Sequence, residues 1–478
     1  MAKELAKQGV DLRIHSVGYQ VDGKARLQLT CIAQATGGTY TNVPDAAGLG
    51  RALTRVTASA LRNYQAAGTP VTGADEIYKG PVLTPGSYLD TLGFAKKRYY
   101  TVELKDGETG YLAATGIFER GSSHQSESIN VRLYGHDGED CNRFENKQTT
   151  RAWEGESITA TMVWIATTDT QELKPGCATP GRYILAIYFQ NNLGRQDDPN
   201  DRVPIEIQVG VEPPVNGDKG PEPVTDPVAF TDPGGTEQPV AGGGSFGTAA
   251  TLPGSGRYVE QLRYSEILYY RVRLEWGQAL AYQVRYGEGQ IGRYSNAQTE
   301  LYSPSRAELA HDDSVTSGHP SVLPQPGKTL STVPIRYRNR ELDRLRHETP
   351  WLTSVPGWYY ISVKLAAGQT MAGDSADDQP PVPIEVAVSV TGTPEKGLQY
   401  ADTSRTDAFA GASPFPAASP SDGPLMAKRA SDQRSPLWWA VAGVGVMAGV
   451  GVAVAAAIGT ILVLRRRRGV GQDTGVQR

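Results

Sequence analysis

The stretch "TPGSYLDTLGFAKKRYYTVELKDGETGYLAAT" (84–115) is the one to read first, because the chain repeats it as "LPGSGRYVEQLRYSEILYYRVRLEWGQALAYQVRY" (252–286). Tyr88, Leu92, Tyr99, Tyr100, Val102, Leu104 and Gly107 recur 170 positions on as Tyr258, Leu262, Tyr269, Tyr270, Val272, Leu274 and Gly277. Further on, "PGRYILAIYF" (180–189) returns as "PGWYYISVKL" (356–365), and "VPIEIQVGV" (203–211) as "VPIEVAVSV" (382–390). Same order and nearly constant spacing mean one duplicated unit. Within it, apolar and polar residues alternate at period two, and turn residues separate the runs. The spacing therefore predicts a mainly β chain, with two tandem antiparallel sandwiches or jelly rolls at 80–212 and 246–392. Composition agrees: of 478 residues 54 are Gly and 32 Pro, and Tyr (23) far outnumbers Phe (8). A net charge of −4 excludes a basic surface for nucleic acid.

Outside the repeats, residues 64–79 read as a connector. "VEPPVNGDKGPEPVTDPVAFTDPGGTEQPVAGGGS" (211–245) reads as a disordered linker over 213–245, and 393–436 as a disordered stalk. Leu437–Leu464 is 28 residues without a charge, followed by Arg465, Arg466, Arg467 and Arg468. That length predicts a spanning helix, with Trp438 and Trp439 at one interface and a basic cytoplasmic tail over 465–478. Gly445 and Gly449 form a small-xxx-small step that allows two such helices to pair into a dimer. The expectation is a single-pass plasma-membrane protein with its bulk outside the cell. The rival is a tail-anchored cytoplasmic scaffold, since Lys428, Arg429 and Arg434 flank the other end of the span and Met1 opens on "AKELAKQG".

The first 63 residues follow another rhythm. "VDLRIHSVGY" (10–19) alternates as a strand. "KARLQLTCIAQAT" (24–36) has a helical apolar face, "TYTNV" (39–43) is a short strand, and Asp45 caps a helix. Alternating α and β implies a parallel sheet. The run "IAQATGGTY" before "DAAGLGRAL" resembles the closing third of a von Willebrand factor A domain. That resemblance implies an α/β head that binds a protein or cell-wall ligand on an actinobacterial-like cell surface. In the family, Mg²⁺ sits on a D-x-S-x-S motif after the first strand. No residue of this chain matches those ligands, so metal-dependent binding is expected to be lost. The expected cause is a start placed too far downstream or a truncated gene, which leaves Cys31 either without a partner or as a buried thiol. More loosely, "Y-Y-x-V-x-L-x-x-G" with the later "G-x-Y" resembles bacterial pre-peptidase C-terminal domains, which are accessory β modules. This leaves a second functional reading, in which the modules accompany an exported hydrolase.

Catalytic chemistry is not expected. "GGSFG" (243–247) fits G-x-S-x-G but ends a glycine linker instead of joining a strand to a helix. Asp197, Asp198 and Asp201 in one repeat, and Asp374, Asp377 and Asp378 in the other, are two acidic loops. They read either as Ca²⁺ ligands or as solvated turns, and unequal spacing favours the latter. His136-Asp137 and His311-Asp312 form a recurring pair, read as a turn with an Asx bond. Cys141 and Cys177 lie in one repeat and are absent from the other. They are either a disulfide staple or two unrelated buried thiols.

Overall fold

The chain was analysed as a computed structural model that describes residues 16–34, 40–43, 49, 66–118, 126–166, 175–190, 194–196, 198, 201–368, 379–402 and 408–409. It divides into two compact units, 1–61 with 422–478, and 62–421.

In the first unit β1 (Ser16–Tyr19), α1 (Gly23–Gln34) and β2 (Tyr40–Val43) follow one another, and β1 pairs parallel with β2, Ser16 opposite Tyr40. Parallel neighbours need a crossover, and α1 supplies it. Asp22 caps α1, its carboxylate accepting the Ala25 N–H at 2.7 Å. Leu29 is buried, and its carbonyl accepts the Ser16 hydroxyl at 2.9 Å. The helix expected after Asp45 and the side chain of Cys31 lie outside the described residues, as do 437–478 with Trp438, Trp439, Gly445, Gly449 and Arg465–Arg468. No helix among the described residues is long and apolar enough to cross a membrane.

The second unit is mainly β. Its first repeat contains β3 (Thr69–Pro70), β4 (Gly86–Gly93), β5 (Lys97–Leu104), β6 (Thr109–Ile117), β7 (Glu127–Tyr134), β8 (Asp140–Thr149), β9 (Ser157–Ile165), the short helix α2 (Pro175–Ala178), β10 (Gly181–Phe189) and β11 (Arg202–Glu212). These form a sheet in the order β3-β4-β11-β6-β9 and another in the order β5-β10-β7-β8. Between them lies one apolar core that includes Leu92, Val102, Leu112, Val131, Trp164 and Ile207.

The second repeat contains β12 (Glu237–Pro239), β13 (Ala250–Leu252), β14 (Gly256–Leu262), β15 (Glu266–Leu274), β16 (Ala279–Tyr286), β17 (Ser295–Tyr302), β18 (Glu308–Thr316), β19 (Ser321–Leu323), the short helix α3 (Glu348–Leu352), β20 (Gly357–Leu365) and β21 (Val382–Thr391). Its sheets run β12-β14-β21-β16-β19 and β13-β15-β20-β17-β18. The strand orders match those of the first repeat one for one, except that a single parallel bridge, Val82 to Thr101, stands where the second has β13.

The tyrosine excess has a structural cause. Tyr88, Tyr183, Tyr258 and Tyr359 each donate their hydroxyl to the carbonyl four residues upstream, at Thr84, Thr179, Gly254 and Val355. Each closes the turn that feeds a strand, and phenylalanine has no hydroxyl to do so.

Three expectations are corrected. The "connector" 64–79 belongs to the first repeat: β3 pairs parallel with β4, and Ala74 bridges Tyr99. The second repeat likewise begins in the "linker", where β12 pairs parallel with β14 and Gly243 bridges Tyr269. In both, a buried carboxylate receives the entering chain. Asp90 accepts Gly73 N–H and the Tyr100 hydroxyl, and Glu260 accepts Gly242 N–H and the Tyr270 hydroxyl.

The linker itself is ordered along the second repeat. Asn216 N–H bonds Gln399 O at 2.7 Å, Val224 N–H bonds Asn339 Oδ1 at 3.0 Å and Val228 N–H bonds Thr332 O at 3.1 Å. Proline lowers the entropy lost on docking, so few bonds suffice. Brief native trypsin digestion is expected to spare Lys219, the linker's one basic residue, and to cut there once urea unfolds the chain. Rapid native cleavage at Lys219 would refute the docking.

The "stalk" also starts docked. Tyr400 bridges Val215, and Ala408 O accepts Val211 N–H at 3.0 Å. The Phe409 ring lies 5.3 Å from that of Tyr111. Residues 403–407 and 410–436 of the expected stalk lie outside the described residues.

Candidate functional site

The two repeats meet through sheet faces that period-two alternation assigns to water. On β11 the core takes Ile205, Ile207 and Val209, yet Glu206, Gln208 and Glu212 on the opposite face are buried as well. The covering elements come from the second repeat. Arg306, in the β17–β18 turn, places Nη1 3.0 Å from Glu206 Oε2, and both side chains are buried (1% and 0% exposed). Glu206 also accepts Ala67 N–H at 2.9 Å, the Ser245 hydroxyl at 2.7 Å and Gly247 N–H at 3.2 Å. Phe246 packs among Tyr269, Tyr302 and Tyr360, with the Arg306 guanidinium 4.9 Å from its ring centre.

At one side of this contact Lys364 reaches Glu156 at 2.8 Å, Ser157 bonds the Tyr269 hydroxyl, and Lys147 meets Glu308 at 2.7 Å. At the other side Glu212 collects Arg340 at 2.7 Å and the hydroxyls of Tyr111 and Tyr400 at 2.7 and 3.0 Å. Pairing and hydrogen bonding are what make such buried charges tolerable. The repeats are thereby one stacked body.

Glu300 lies in this contact. Burial pushes its carboxyl above the ordinary value of 4.5, against the hydrogen bonds donated by Tyr302 and Ser362. An acid whose folded value is raised contributes stability that is complete below its unfolded value and is lost as pH rises through the folded value. Glu300→Gln keeps an acceptor for both hydroxyls and removes the charge. It is expected to raise the melting temperature at pH 7 and to leave it unchanged near pH 4. An equal gap at both pH values would overturn this account.

The individual candidates fare differently. Cys141 and Cys177 form a disulfide, Cα–Cα 5.5 Å, across a separation of 36 residues. It ties the start of β8 to α2. In the second repeat Leu309 stands at the corresponding start of β18, and its carbonyl accepts the Thr349 hydroxyl of α3 at 2.9 Å.

Asp198 is exposed and Asp201 half-buried, with Asp201 N–H on Asp198 O at 3.0 Å. Asp197, Asp374, Asp377 and Asp378 lie outside the described residues. Among the described residues no group of three or more His, Cys, Asp or Glu is arranged to hold a metal. Ser245 of "GGSFG" gives its hydroxyl to Glu206, so it serves the contact between repeats.

The His-Asp recurrence is corrected. Asp137 makes the expected Asx bond, accepting Glu139 N–H at 3.0 Å. His311 and Asp312, however, lie on β18, with Asp312 bonded to Lys328 Nζ at 2.6 Å. The true counterpart of the 135–139 turn is 303–307. Gly135 N–H bonds Glu139 O and Ser303 N–H bonds Ala307 O, while Gly138 and Arg306 share the left-handed backbone, at φ +80° and +61°. The shared His-Asp dipeptide is a chance identity at non-equivalent positions of the two repeats.

Sequence reasoning missed Glu206, Arg306, Glu212 and Arg340. A usable signal existed for the entry strands, the "PV-x-G" shared by Pro70–Gly73 and Pro239–Gly242. None existed for the ion pairs, whose partners stand 100 and 128 residues apart.

No family model and no curated protein matches the chain. Solved structures offer distant similarities. A putative secreted protein from Parabacteroides distasonis is 6% identical, with 64% of this chain and 83% of that one covered and a TM-score of 0.15. The tandem CBM22-1-CBM22-2 domain of Paenibacillus barcinonensis Xyn10C is 11% identical over 69% and 100%, at 0.16. The VP2 subviral particle of infectious bursal disease virus is 10% identical over 71% and 72%, at 0.19. At these TM-scores none of the three bears on what the chain does.

Proposed function

We propose that this chain is a non-enzymatic, single-pass surface protein whose tandem β modules present a von Willebrand A-like α/β piece to a protein or cell-wall ligand outside the cell. The observation that carries the reading is the fusion of the two repeats into one body through Glu206–Arg306 and Glu212–Arg340, with the intervening linker docked. A rigid spacer suits presentation at a distance, whereas flexibly joined accessory modules have no need of buried ion pairs. The uncharged segment Leu437–Leu464 supplies the anchor in this reading. The disulfide suits an oxidising compartment. No Mg²⁺ role is proposed, because no residue of the chain matches the family's ligands.

Labelling intact cells with a membrane-impermeant amine reagent tests the orientation. Lys79, whose side chain is 68% exposed, is expected to react before lysis. Reaction only after lysis would favour the tail-anchored cytoplasmic scaffold instead.

A further inference from the structure

The face that the second repeat uses to dock has a counterpart on the first repeat, the outer face of β5-β10-β7-β8. Strand register lays out three adjacent rows of it. Thr101, Ile184, Tyr134 and Asp140 form one, Tyr99, Ala186, Arg132 and Phe144 the next, and Lys97, Tyr188, Asn130 and Asn146 the third. Ile184 and Ala186 form a buried floor. Tyr99, Tyr134 and Tyr188 stand half-exposed around it, near enough to influence one another electrostatically, and Phe144 is 45% exposed at the edge.

This face is not a repeat of the docking face. Where the second repeat has Arg306 and Lys364, which pair with Glu206 and Glu156 of the first, and Glu300 and Phe246 beside them, this face has Gly138, Tyr188, Arg132 and Ile77. Another module of the same kind would find none of its charged partners here. The tyrosines are also unlike the others. Tyr88, Tyr100, Tyr111, Tyr183, Tyr258 and Tyr270 all donate their hydroxyls to protein acceptors. Those of Tyr99, Tyr134 and Tyr188 have no hydrogen-bond partner among the described residues. Between them lies the Arg132 guanidinium, paired with Asp140 at 2.5 Å, while Asn130 is buried beneath and bonded to Asn146 and to Tyr188 O.

We propose that this open face binds a polysaccharide chain. Flat rings match the CH faces of pyranose units, while the three unspent phenol hydroxyls and the guanidinium match their hydroxyl groups. The charges of the face are largely paired, Lys97 lying 4.6 Å over the Tyr188 ring, Arg132 held by Asp140 and, in the adjoining row, Arg182 held by Glu103. That favours a glycan over a nucleic acid or an acidic peptide. The site does not depend on the α/β piece or on where the chain resides.

The test is co-sedimentation of the detergent-solubilised full chain with insoluble peptidoglycan, chitin and cellulose. Retention on at least one is expected. Tyr99→Ala and Tyr188→Ala should each weaken it at least tenfold without lowering the melting temperature. Where an alanine variant fails to fold, nitration by tetranitromethane replaces it: the retained polymer is expected to protect Tyr99, Tyr134 and Tyr188 of the unaltered protein. Retention on none of the polymers, retention indifferent to the variants, or nitration indifferent to the polymer would each overturn the proposal. So would a concentration-dependent dimer abolished by Tyr188→Ala, which would give the face to a second copy of the chain.

Discussion

Arg306→Met is expected to destabilise the tandem by about 3–5 kcal/mol, the usual cost of removing one partner of a buried ion pair. The substitution leaves Glu206 wholly buried with three neutral donors, Ala67 N–H, Gly247 N–H and the Ser245 hydroxyl, and no counter-charge. It also removes the guanidinium from the Phe246 ring. Arg306 holds a left-handed backbone at φ +61°, as its counterpart Gly138 does at +80°, and a non-glycine residue spends about 1 kcal/mol there, a cost that methionine would share and that leaves the expected loss unchanged. Native Arg306 therefore carries strain that the ion pair must exceed. The double variant Arg306→Met with Glu206→Gln removes both charges and is expected to recover most of the loss, since buried pairs replaced together cost little. Urea denaturation of the four species gives the coupling energy. Arg306→Met should also split one cooperative transition into two, the repeats then unfolding separately. A cost below about 1 kcal/mol, with a single transition retained, would show that apolar contacts alone hold the repeats together.

Removing the disulfide is the second large effect. Cys141→Ser with Cys177→Ser opens a loop of 36 residues, and chain entropy for that length gives about 4 kcal/mol of lost stability. The loss should fall on the first repeat alone. The second ties the same place with the Thr349 hydroxyl on Leu309 O, a bond worth about 1 kcal/mol net. A loss of that size in one repeat is expected to uncouple it from the stack, so that in reducing buffer the first repeat melts ahead of the second, and hydrogen exchange would show protection lost in β8 and β10 while β18 and β20 keep theirs. Equal loss in both repeats would mean that Cys141–Cys177 stabilises the whole stack. No loss with both thiols alkylated would mean that β8 and α2 are held by packing alone.

Duplication, strand alternation and a mainly β fold were legible in the chain as written, because side-chain period and turn residues are local properties. The β-α-β order of residues 16–43 was legible for the same reason. The limits of each repeat were not. Thr69–Pro70 and Glu237–Pro239 are strands of two and three residues, too short to show a period, and only their neighbours β4 and β14 make them strands. The linker and stalk were misread because composition reports what a segment costs to order, not whether a surface awaits it. Most of all, alternation placed Glu206, Gln208 and Glu212 in water. Tertiary structure placed the second repeat over them, and whether a polar face meets solvent or a distant arginine depends on a partner that no local pattern in the sequence can name.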